Sequence, residues 1–472
     1  AYRDLGNKKA AQDVLDRVMA EDRMNNLVRW LGGVEEAHFF TKLDSAPDQT
    51  VLDMVFDLES MGQYALAARL LEQFGKYHTH TTMTLYTLAY LRRKQGMDYE
   101  ETLRLADAAE IRDTYPARLD EIRVLTFARE QNAVKAPFLL GCLLYDKKQA
   151  DAAIAHWEAS VQQDPGQALV HRNLAIARYN KQGDADAALR EMEQARRLDP
   201  GYPRLLLEYD QLAARLGRSN AARLQLLEEN LALVEQRDDL MLRYVTLLNC
   251  EGRCEEALQI LLTRRFHPWE GGEGKVSAQY RYALIRLAKD CLNRGENDRA
   301  VQLLEQSKTY PDTLGEGKLP NVPDNEADYW QGVALRAMGR EPEAAAAFLR
   351  AVSGPQEPGR VLYYNDQPSD FIYYQGLAQR AMGNEAAARK AFHKLLTYGE
   401  THLFDAVAYD FFAVSLPEIE VFADDIALRN RQYCNYLRAL GCAGLGRTSE
   451  AAELFAGILE LQPDDQGALR HA

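Results

Sequence analysis

One short segment, residues 266–275 with the sequence FHPWEGGEGK, concentrates side chains that could bind a ligand. Its ionisable residues are His267, Glu270, Glu273 and Lys275. Its glycines permit unusual backbone angles and close approach of a ligand, and Trp269 could stack on a sugar ring. The spacing is not that of a phosphate-binding loop. The interpretation that we favour is an ordered loop that turns the chain between two helical pairs, with Trp269 as a plug.

A second polar segment, residues 363–370 with the sequence YYNDQPSD, also carries candidate binding residues. These are Tyr363, Tyr364, Asn365 and Asp366. Asp366 and Asp370 could form a carboxylate pair for sugar hydrolysis or for binding sugar hydroxyls. We favour a structural role, in which the segment makes an Asx-type turn and Asp370 caps the helix that begins near Phe371.

Metal, redox and nucleophilic chemistry have little support in the sequence. His78 and His80 have the spacing of two ligands on a loop, but no third ligand is near, so we expect surface histidines. The six cysteines do not form the pattern of a disulfide framework, and we expect buried thiols. No catalytic triad, HExxH or GxGxxG signature is present. We therefore predict no metal and no cofactor.

The net charge of the chain limits the classes of partner that it could bind. With 56 basic and 70 acidic residues, its net charge is −14, so it would repel nucleic acid and anionic membranes. Residues 400–425 hold seven acidic residues and no Lys or Arg, and the aromatic residues among them suit contact with a protein. No run approaches the roughly 18 apolar residues of a membrane span. We predict a cytoplasmic protein, and because Ala1 lies within a helical pattern, we expect a piece of a longer chain.

The elements that must position these segments repeat along the sequence. A turn glycine is followed five residues later by Ala and four residues after that by a large apolar residue, as in Gly339, Ala344 and Phe348. The sequence YWQGVALRAMG at residues 329–339 returns as YYQGLAQRAMG at residues 373–383. This spacing resembles the tetratricopeptide repeat, in which helical pairs stack because each leaves an apolar face uncovered. A small residue in the first helix would let the second helix cross closely.

Several segments resemble a large, uncharacterised bacterial family. They are FHPWEGGEGK, YYNDQPSDFIYYQGLA at residues 363–378 and YDFFAVSLPEIEVFADDIALRNRQYC at residues 409–434. Members of that family join an N-terminal galactose-mutarotase-like β-sandwich region to a C-terminal tetratricopeptide array. The resemblance covers about the last 240 residues and implies that this chain is the array. It also implies a link to carbohydrate metabolism, but it implies no reaction.

Together these patterns predict an all-α fold, a right-handed α-solenoid of about ten helical pairs with long ordered loops in its second half. We expect residues 1–264 to form a partly degenerate first part of the array and residues 265–472 to carry the loop insertions. The function that we predict is a non-enzymatic scaffold that binds a protein or peptide, or docks the N-terminal β-rich region of its own polypeptide. The alternative is an array that completes a carbohydrate site through the segments 266–275 and 363–370.

Overall fold

All of the regular secondary structure in the described part of the chain is helical. The structure is a computed structural model, and it describes residues 2, 5–111, 114–269, 271–363, 366–409 and 420–471. The helical content is 68%, and these residues contain no strand. The predicted all-α class is therefore confirmed, and the arrangement is consistent with an α-solenoid.

The chain divides into two compact units, Ala1–Ala177 and Arg178–Ala472. The α-helices of the first unit are α1 (Lys8–Glu21), α2 (Asn26–Leu31), α3 (Glu36–Thr41), α4 (Pro47–Ser60), α5 (Tyr64–Phe74), α6 (Thr82–Lys94), α7 (Glu100–Ala108), α8 (Asp120–Glu130), α9 (Ala136–Asp146), α10 (Ala150–Gln163) and α11 (Ala168–Ala177). The division predicted at residue 264 rests on loop composition, and it stays a prediction.

The second unit begins with a π-helical turn, Arg178–Gln182. Its α-helices are α12 (Ala185–Leu198), α13 (Pro203–Arg215), α14 (Asn220–Glu228), α15 (Leu231–Val234), α16 (Asp238–Cys250), α17 (Cys254–Thr263), α18 (Lys275–Asn293), α19 (Asn297–Gln306), α20 (Asn325–Ala337), α21 (Glu341–Ala351), α22 (Phe371–Ala381), α23 (Glu385–His402), α24 (Ile426–Gly444), α25 (Thr448–Leu461) and α26 (Gln466–Leu469). A 3-10 turn, Asp312–Leu314, lies between α19 and α20.

Helices that follow one another along the chain pack in pairs. In the first unit α4 packs on α5, α6 on α7 and α9 on α10, and in the second unit α18 packs on α19, α20 on α21, α22 on α23 and α24 on α25. The alanines at the repeat positions of the second helices, Ala344 and Ala388, are fully buried at these crossings. Each pair buries one apolar face, and stacking the pairs covers the rest.

The turn glycines of the repeat pattern adopt the left-handed backbone conformation. Gly339 has φ 74° and Gly383 has φ 84°. At the first of these, the N–H of Arg340 donates to the carbonyl of Leu335, five residues back, which satisfies a free carbonyl at the end of α20. The repeat spacing thus marks where each first helix ends. Among the described residues, no helix combines the length and the apolar character that a membrane crossing requires.

Candidate functional site

The first residue of the segment 266–275 packs into the core of the second unit. Phe266 is buried in the core, whereas the side chain of His267 is 77% exposed. The backbone N–H of His267 donates to Asp238 Oδ2 over 2.9 Å, and its ring Nδ1 lies 3.0 Å from the same oxygen. Burial alone would raise the pKa of Asp238, but hydrogen bonds from Arg264 and His267 hold it below its ordinary value. The side chain of His267 is therefore exposed to solvent but paired with Asp238.

The remaining part of this segment leads into helix α18. Trp269 packs against the core, and a β-carbon at Gly272 would lie only 2.1 Å from its ring, so only glycine allows this ring position. Glu273 is half-buried, and its Oε2 has no hydrogen-bond partner among the described residues. Lys275 begins α18, and Glu270 lies outside the described residues. These contacts support the packed-loop interpretation of Trp269, while a binding role for the segment stays a prediction.

The segment 363–370 uses its first aspartate within its own loop. Asp366 Oδ2 accepts the backbone N–H groups of Leu362 and Tyr363, over 2.8 and 3.0 Å. The ring of Tyr363 lies 6.5 Å from that of Tyr409, centroid to centroid. Two further candidates, Tyr364 and Asn365, lie outside the described residues. The carbohydrate site predicted from the segments 266–275 and 363–370 stays a prediction.

The role predicted for Asp370 is wrong. This residue precedes α22, but its side chain makes no capping hydrogen bond. Its Oδ2 instead accepts the hydroxyl of Tyr436 over 3.1 Å and lies 3.7 Å from a guanidinium nitrogen of Arg470. The carboxylate turns away from its own helix because partners from two distant parts of the chain surround it.

Two neighbouring histidines of the first unit, His78 and His80, lie in the connection between α5 and α6. His78 Nε2 lies 2.7 Å from the carbonyl oxygen of Phe40, and the ring stacks on Phe74. His80 Nδ1 lies 3.1 Å from the hydroxyl of Thr84. Both side chains are half-buried, and burial lowers the pKa of His80. The described residues contain no group of three metal-ligating side chains.

A different surface of the second unit holds a peptide segment of the chain itself. Residues 462–471, which we call the inner segment, follow α25 and include the single turn α26. Side chains of α14 and of the first helices α16, α18, α20, α22 and α24 contact it. We call the surface that these helices present to the inner segment the groove. Successive repeats thus contribute to one continuous binding surface.

The start of the inner segment lies at a basic end of the groove. Arg223 Nη1 donates to Asp464 Oδ2 over 2.8 Å, while its other nitrogens donate to Asp210, which is fully buried. Arg243 Nε also donates to Asp210, over 2.6 Å. Asn220 donates to the carbonyl of Pro463 over 2.7 Å. Asp210 therefore fixes the two arginines, and Asp464 adds a second carboxylate beside them.

The middle of the inner segment is held by an amide pair and by a thiol. Gln279 and Gln466 exchange side-chain hydrogen bonds of 3.0 and 2.8 Å. Cys250 Sγ donates to the carbonyl oxygen of Asp464 over 3.8 Å. Burial raises the pKa of the Cys250 thiol to about 12, so the inner segment covers an unreactive cysteine.

Arg470 fills an acidic end of the groove. Its Nη1 donates to Glu326 Oε2 over 2.7 Å, and its guanidinium lies over the ring of Tyr282, 5.3 Å from the centroid. The hydroxyl of Tyr374 donates to Glu326 Oε1 over 2.7 Å. Together with Asp370 and its tyrosine partner, these groups form a pocket in which each carboxylate accepts a tyrosine hydroxyl.

Burial and charge oppose one another at this acidic end. Burial alone would lower the pKa of Arg470, but the nearby carboxylates and tyrosines raise it well above its ordinary value. Burial raises the pKa of Asp370, although Arg470 acts to lower it. The exposed fractions of the Arg470, Glu326 and Asp370 side chains are 21%, 8% and 19%. A desolvated guanidinium is thus held by paired carboxylates, an arrangement that is costly to break from either side.

A cavity of about 580 Å³ adjoins the basic end. Leu461 and Asp464 contribute to its wall, next to residues 420–425. Glu420 of that stretch accepts from Arg215 over 2.6 Å, and the buried ring of Phe422 packs edge-on against Tyr179, 5.4 Å between centroids. Part of the acidic stretch that the sequence suggested as a partner surface is therefore engaged within the unit. Residues 410–419 of that stretch lie outside the described residues.

Sequence reasoning missed the inner segment. Gln462 and Pro463 were recognisable as the end of the last repeat copy, and the sequence DDQGALRH follows them directly. A polar stretch with acids at one end and a base at the other is the available signal. It resembles an ordinary exposed terminus, because the charges that complement it are spread over helices far away in sequence.

The second unit is thus built from helical pairs, several of which contact one segment of the same chain. Residues 370–398 match the family model of the tetratricopeptide repeat. They span α22 and most of α23, so this pair is a tetratricopeptide repeat, as the sequence predicted for it.

Several solved structures resemble parts of the chain at low identity. YrrB, a tetratricopeptide repeat protein with an unusual peptide-binding site, is 15% identical, with a TM-score of 0.30 over 47% of this chain and 96% of its own. A Parabacteroides merdae tetratricopeptide repeat protein is 16% identical, with a TM-score of 0.25 over 63% and 98%. MamA from Desulfovibrio magneticus RS-1 is 17% identical, with a TM-score of 0.23 over 40% and 93%.

Proposed function

We propose that this chain is a non-enzymatic scaffold that binds an extended segment of a partner protein in the groove of its second unit. The observation that supports the proposal is the inner segment, because a peptide stretch already occupies the groove through side chains from successive repeats. The contacts at both ends are charge-paired, with Asp464 at the basic end and Arg470 at the acidic end. Such charge pairing fixes the register in which a peptide binds and makes binding selective, but it adds less to the affinity.

The proposal is tested by binding of a peptide in trans. The probe is a synthetic peptide with the sequence of residues 461–471, labelled with a fluorophore, and the protein is the full chain carrying Arg470→Ala, which weakens its own inner segment. We expect saturable binding by fluorescence anisotropy, and we expect it to weaken when Glu326→Gln is added to the protein. Absence of saturable binding up to millimolar protein would contradict the scaffold function of this groove.

Three finer predictions remain alongside this proposal. One is that the chain docks a galactose-mutarotase-like region of a bacterial polypeptide, another is that it acts in the cytoplasm, and the last is a carbohydrate site formed by segments 266–275 and 363–370. For the carbohydrate site, Trp269 packs on Gly272, and Asp366 Oδ2 accepts a backbone N–H of its own loop. A thermal-shift screen of the full chain against a glycan panel tests that alternative.

A further inference from the structure

The acidic end of the groove has the composition of a receptor for arginine. Two carboxylates, Glu326 and Asp370, face the guanidinium of Arg470, and each is held by a tyrosine hydroxyl. The ring of Tyr282 supplies a cation–π contact. A planar guanidinium with several fixed donors matches this set of acceptors and the aromatic face, whereas the rounder ammonium of lysine matches it poorly.

The inner segment is held by charged and polar contacts at both ends and by aromatic packing at its last residue. Among its described residues only Ala468 is fully buried, while Asp464 and Arg470 make ion pairs and the ring of His471 stacks on Phe455. Buried ion pairs fix geometry but add little net free energy, because desolvation offsets much of the attraction. A competing segment with the same charges would recover the same contacts, so the bound state is suited to exchange.

We propose that the inner segment is a built-in ligand of the groove, which a partner displaces with a peptide that carries an acidic residue and, six positions later, an arginine. This inference rests on the proposed function and names the ligand chemistry of the same site. Asp464 and Arg470 define the spacing, since the first reaches Arg223 and the second reaches Glu326. In the intact chain the inner segment then excludes weakly binding peptides from the groove. A peptide that pairs with both the basic and the acidic end displaces it.

Cys250 reports on the occupancy of the groove. Its thiol is partly buried and contacts the backbone of Asp464, and removal of the inner segment would expose it further, near Arg223. Positive neighbours and solvent favour the thiolate, which is the reactive form. Alkylation of each cysteine by N-ethylmaleimide, followed by peptide mass spectrometry, therefore measures release of the inner segment in the full chain.

The experiment compares the intact chain with Arg470→Ala and with a matched control, Arg447→Ala, whose side chain is half-exposed and paired on the surface with Glu450. We expect Cys250 to be alkylated at least tenfold faster in Arg470→Ala and at an unchanged rate in Arg447→Ala. The peptide of residues 461–471 should restore protection of Cys250 in Arg470→Ala. The same peptide carrying Ala at position 470, or with Asp464 and Arg470 exchanged, should not.

Cys254, which is buried near Cys250, separates local release from unfolding. If it becomes reactive in parallel, Arg470→Ala has unfolded the unit, and Glu326→Gln replaces it as the variant that opens the groove. Equal Cys250 rates in the intact chain and in the opening variant would show a fixed structural element and overturn the inference.

Two further outcomes overturn the inference but leave the proposed function standing. One is that peptides with and without the arginine protect Cys250 equally. The groove would then bind peptides without recognising the arginine. The other is that light scattering detects dimers of the opening variant and that Cys250 is protected in these dimers. In that case two copies of the chain exchange their inner segments, and the occupant of the groove is a second copy. If no peptide restores protection at all, the proposed function fails together with the inference.

Discussion

The ring of Phe392 lies where a side chain on residue 376 would begin, because a β-carbon added at Gly376 would sit 2.5 Å from it. The same relationship joins Gly332 to Phe348, at 2.6 Å. In both pairs the glycine lies in the first helix and the aromatic residue in the second helix of one repeat. The absent side chain therefore sets how closely the two helices of a pair approach.

Replacement of Gly376 by alanine should destabilise the second unit. The added methyl group meets a fully buried ring in α23, and overpacking of this kind costs about 1–3 kcal/mol. Urea unfolding followed by circular dichroism measures the change. The matched control is Gly457→Ala in α25, where a β-carbon meets nothing within 4 Å. There we expect a gain of up to about 1 kcal/mol from helix propensity, and equal effects of the two substitutions would contradict the packing argument.

Enlargement of the small residue at the start of the second helices should have a similar cost. Ala344 and Ala388 are completely buried, so leucine at either position should lower the free energy of unfolding by about 1–3 kcal/mol. Ala345→Leu places the same side chain on an exposed position of α21 and serves as the control. Thermal or urea unfolding distinguishes them, and variants that all unfold like the parent chain would show that the repeat register is wrong.

Much of the fold could be predicted from sequence because its rules are local. The spacing from Gly339 to Ala344 to Phe348 lies within one helical pair, and it reports the turn, the crossing and the aromatic residue that packs there. The ordered character of segment 266–275 follows in the same way, since Trp269 packs on a glycine of its own loop. Such features need no knowledge of the rest of the chain.

The candidate site could not be predicted because its contacts join distant residues. Asp370 has the position of a helix cap, yet its partner Arg470 lies 100 residues further along the chain. Glu326 and Arg470 are 144 residues apart. A local pattern assigns each of these residues an ordinary surface or capping role. Only the stacking of repeats brings their charges together, and this is why the groove and its occupant were missed.

The carboxylate at the basic end should be a large contributor to stability. Asp210 is fully buried and accepts hydrogen bonds from Arg223 and Arg243. Asp210→Asn removes the negative charge while both arginines stay in place, and loss of one partner of a buried pair costs about 3–5 kcal/mol. The urea unfolding midpoint at pH 7 measures this effect. Glu343→Gln, which breaks an exposed pair with Arg340, is the control and should leave the midpoint unchanged.

Protonation of His471 should weaken docking of the inner segment. Its ring stacks on Phe455, with 5.9 Å between centroids, and Nε2 lies 3.4 Å from the hydroxyl of Tyr374. Burial, together with the charges of Arg470 and Lys289, lowers the pKa of His471 well below its ordinary value of 6.5. The docked form therefore holds a neutral imidazole, while the released form takes up a proton below pH 6.5.

The sign of this effect follows from linkage. A folded pKa below the free value gives docking its full strength above pH 6.5 and weakens it as the pH falls, by up to about 1.4 kcal/mol per pH unit. Asp370 acts in the opposite sense, since its raised pKa favours the docked form when it is protonated, but only toward lower pH. The hydroxyls of Tyr374 and Tyr436 stay neutral, because burial raises both pKa values well above 10.

Comparison with His471→Gln isolates the histidine, because Asp370 and the intrinsic ionisation of Cys250 are common to both proteins. We expect the rate of Cys250 alkylation in the parent chain, divided by the rate in the variant at the same pH, to be constant above pH 7. Below pH 6.5 the ratio should rise by as much as tenfold per unit, because only the parent chain gains a charge that the groove rejects. A ratio that stays flat from pH 7.5 to pH 5 would mean that the docked form takes up the proton as readily as the released form, or that the segment does not leave the groove.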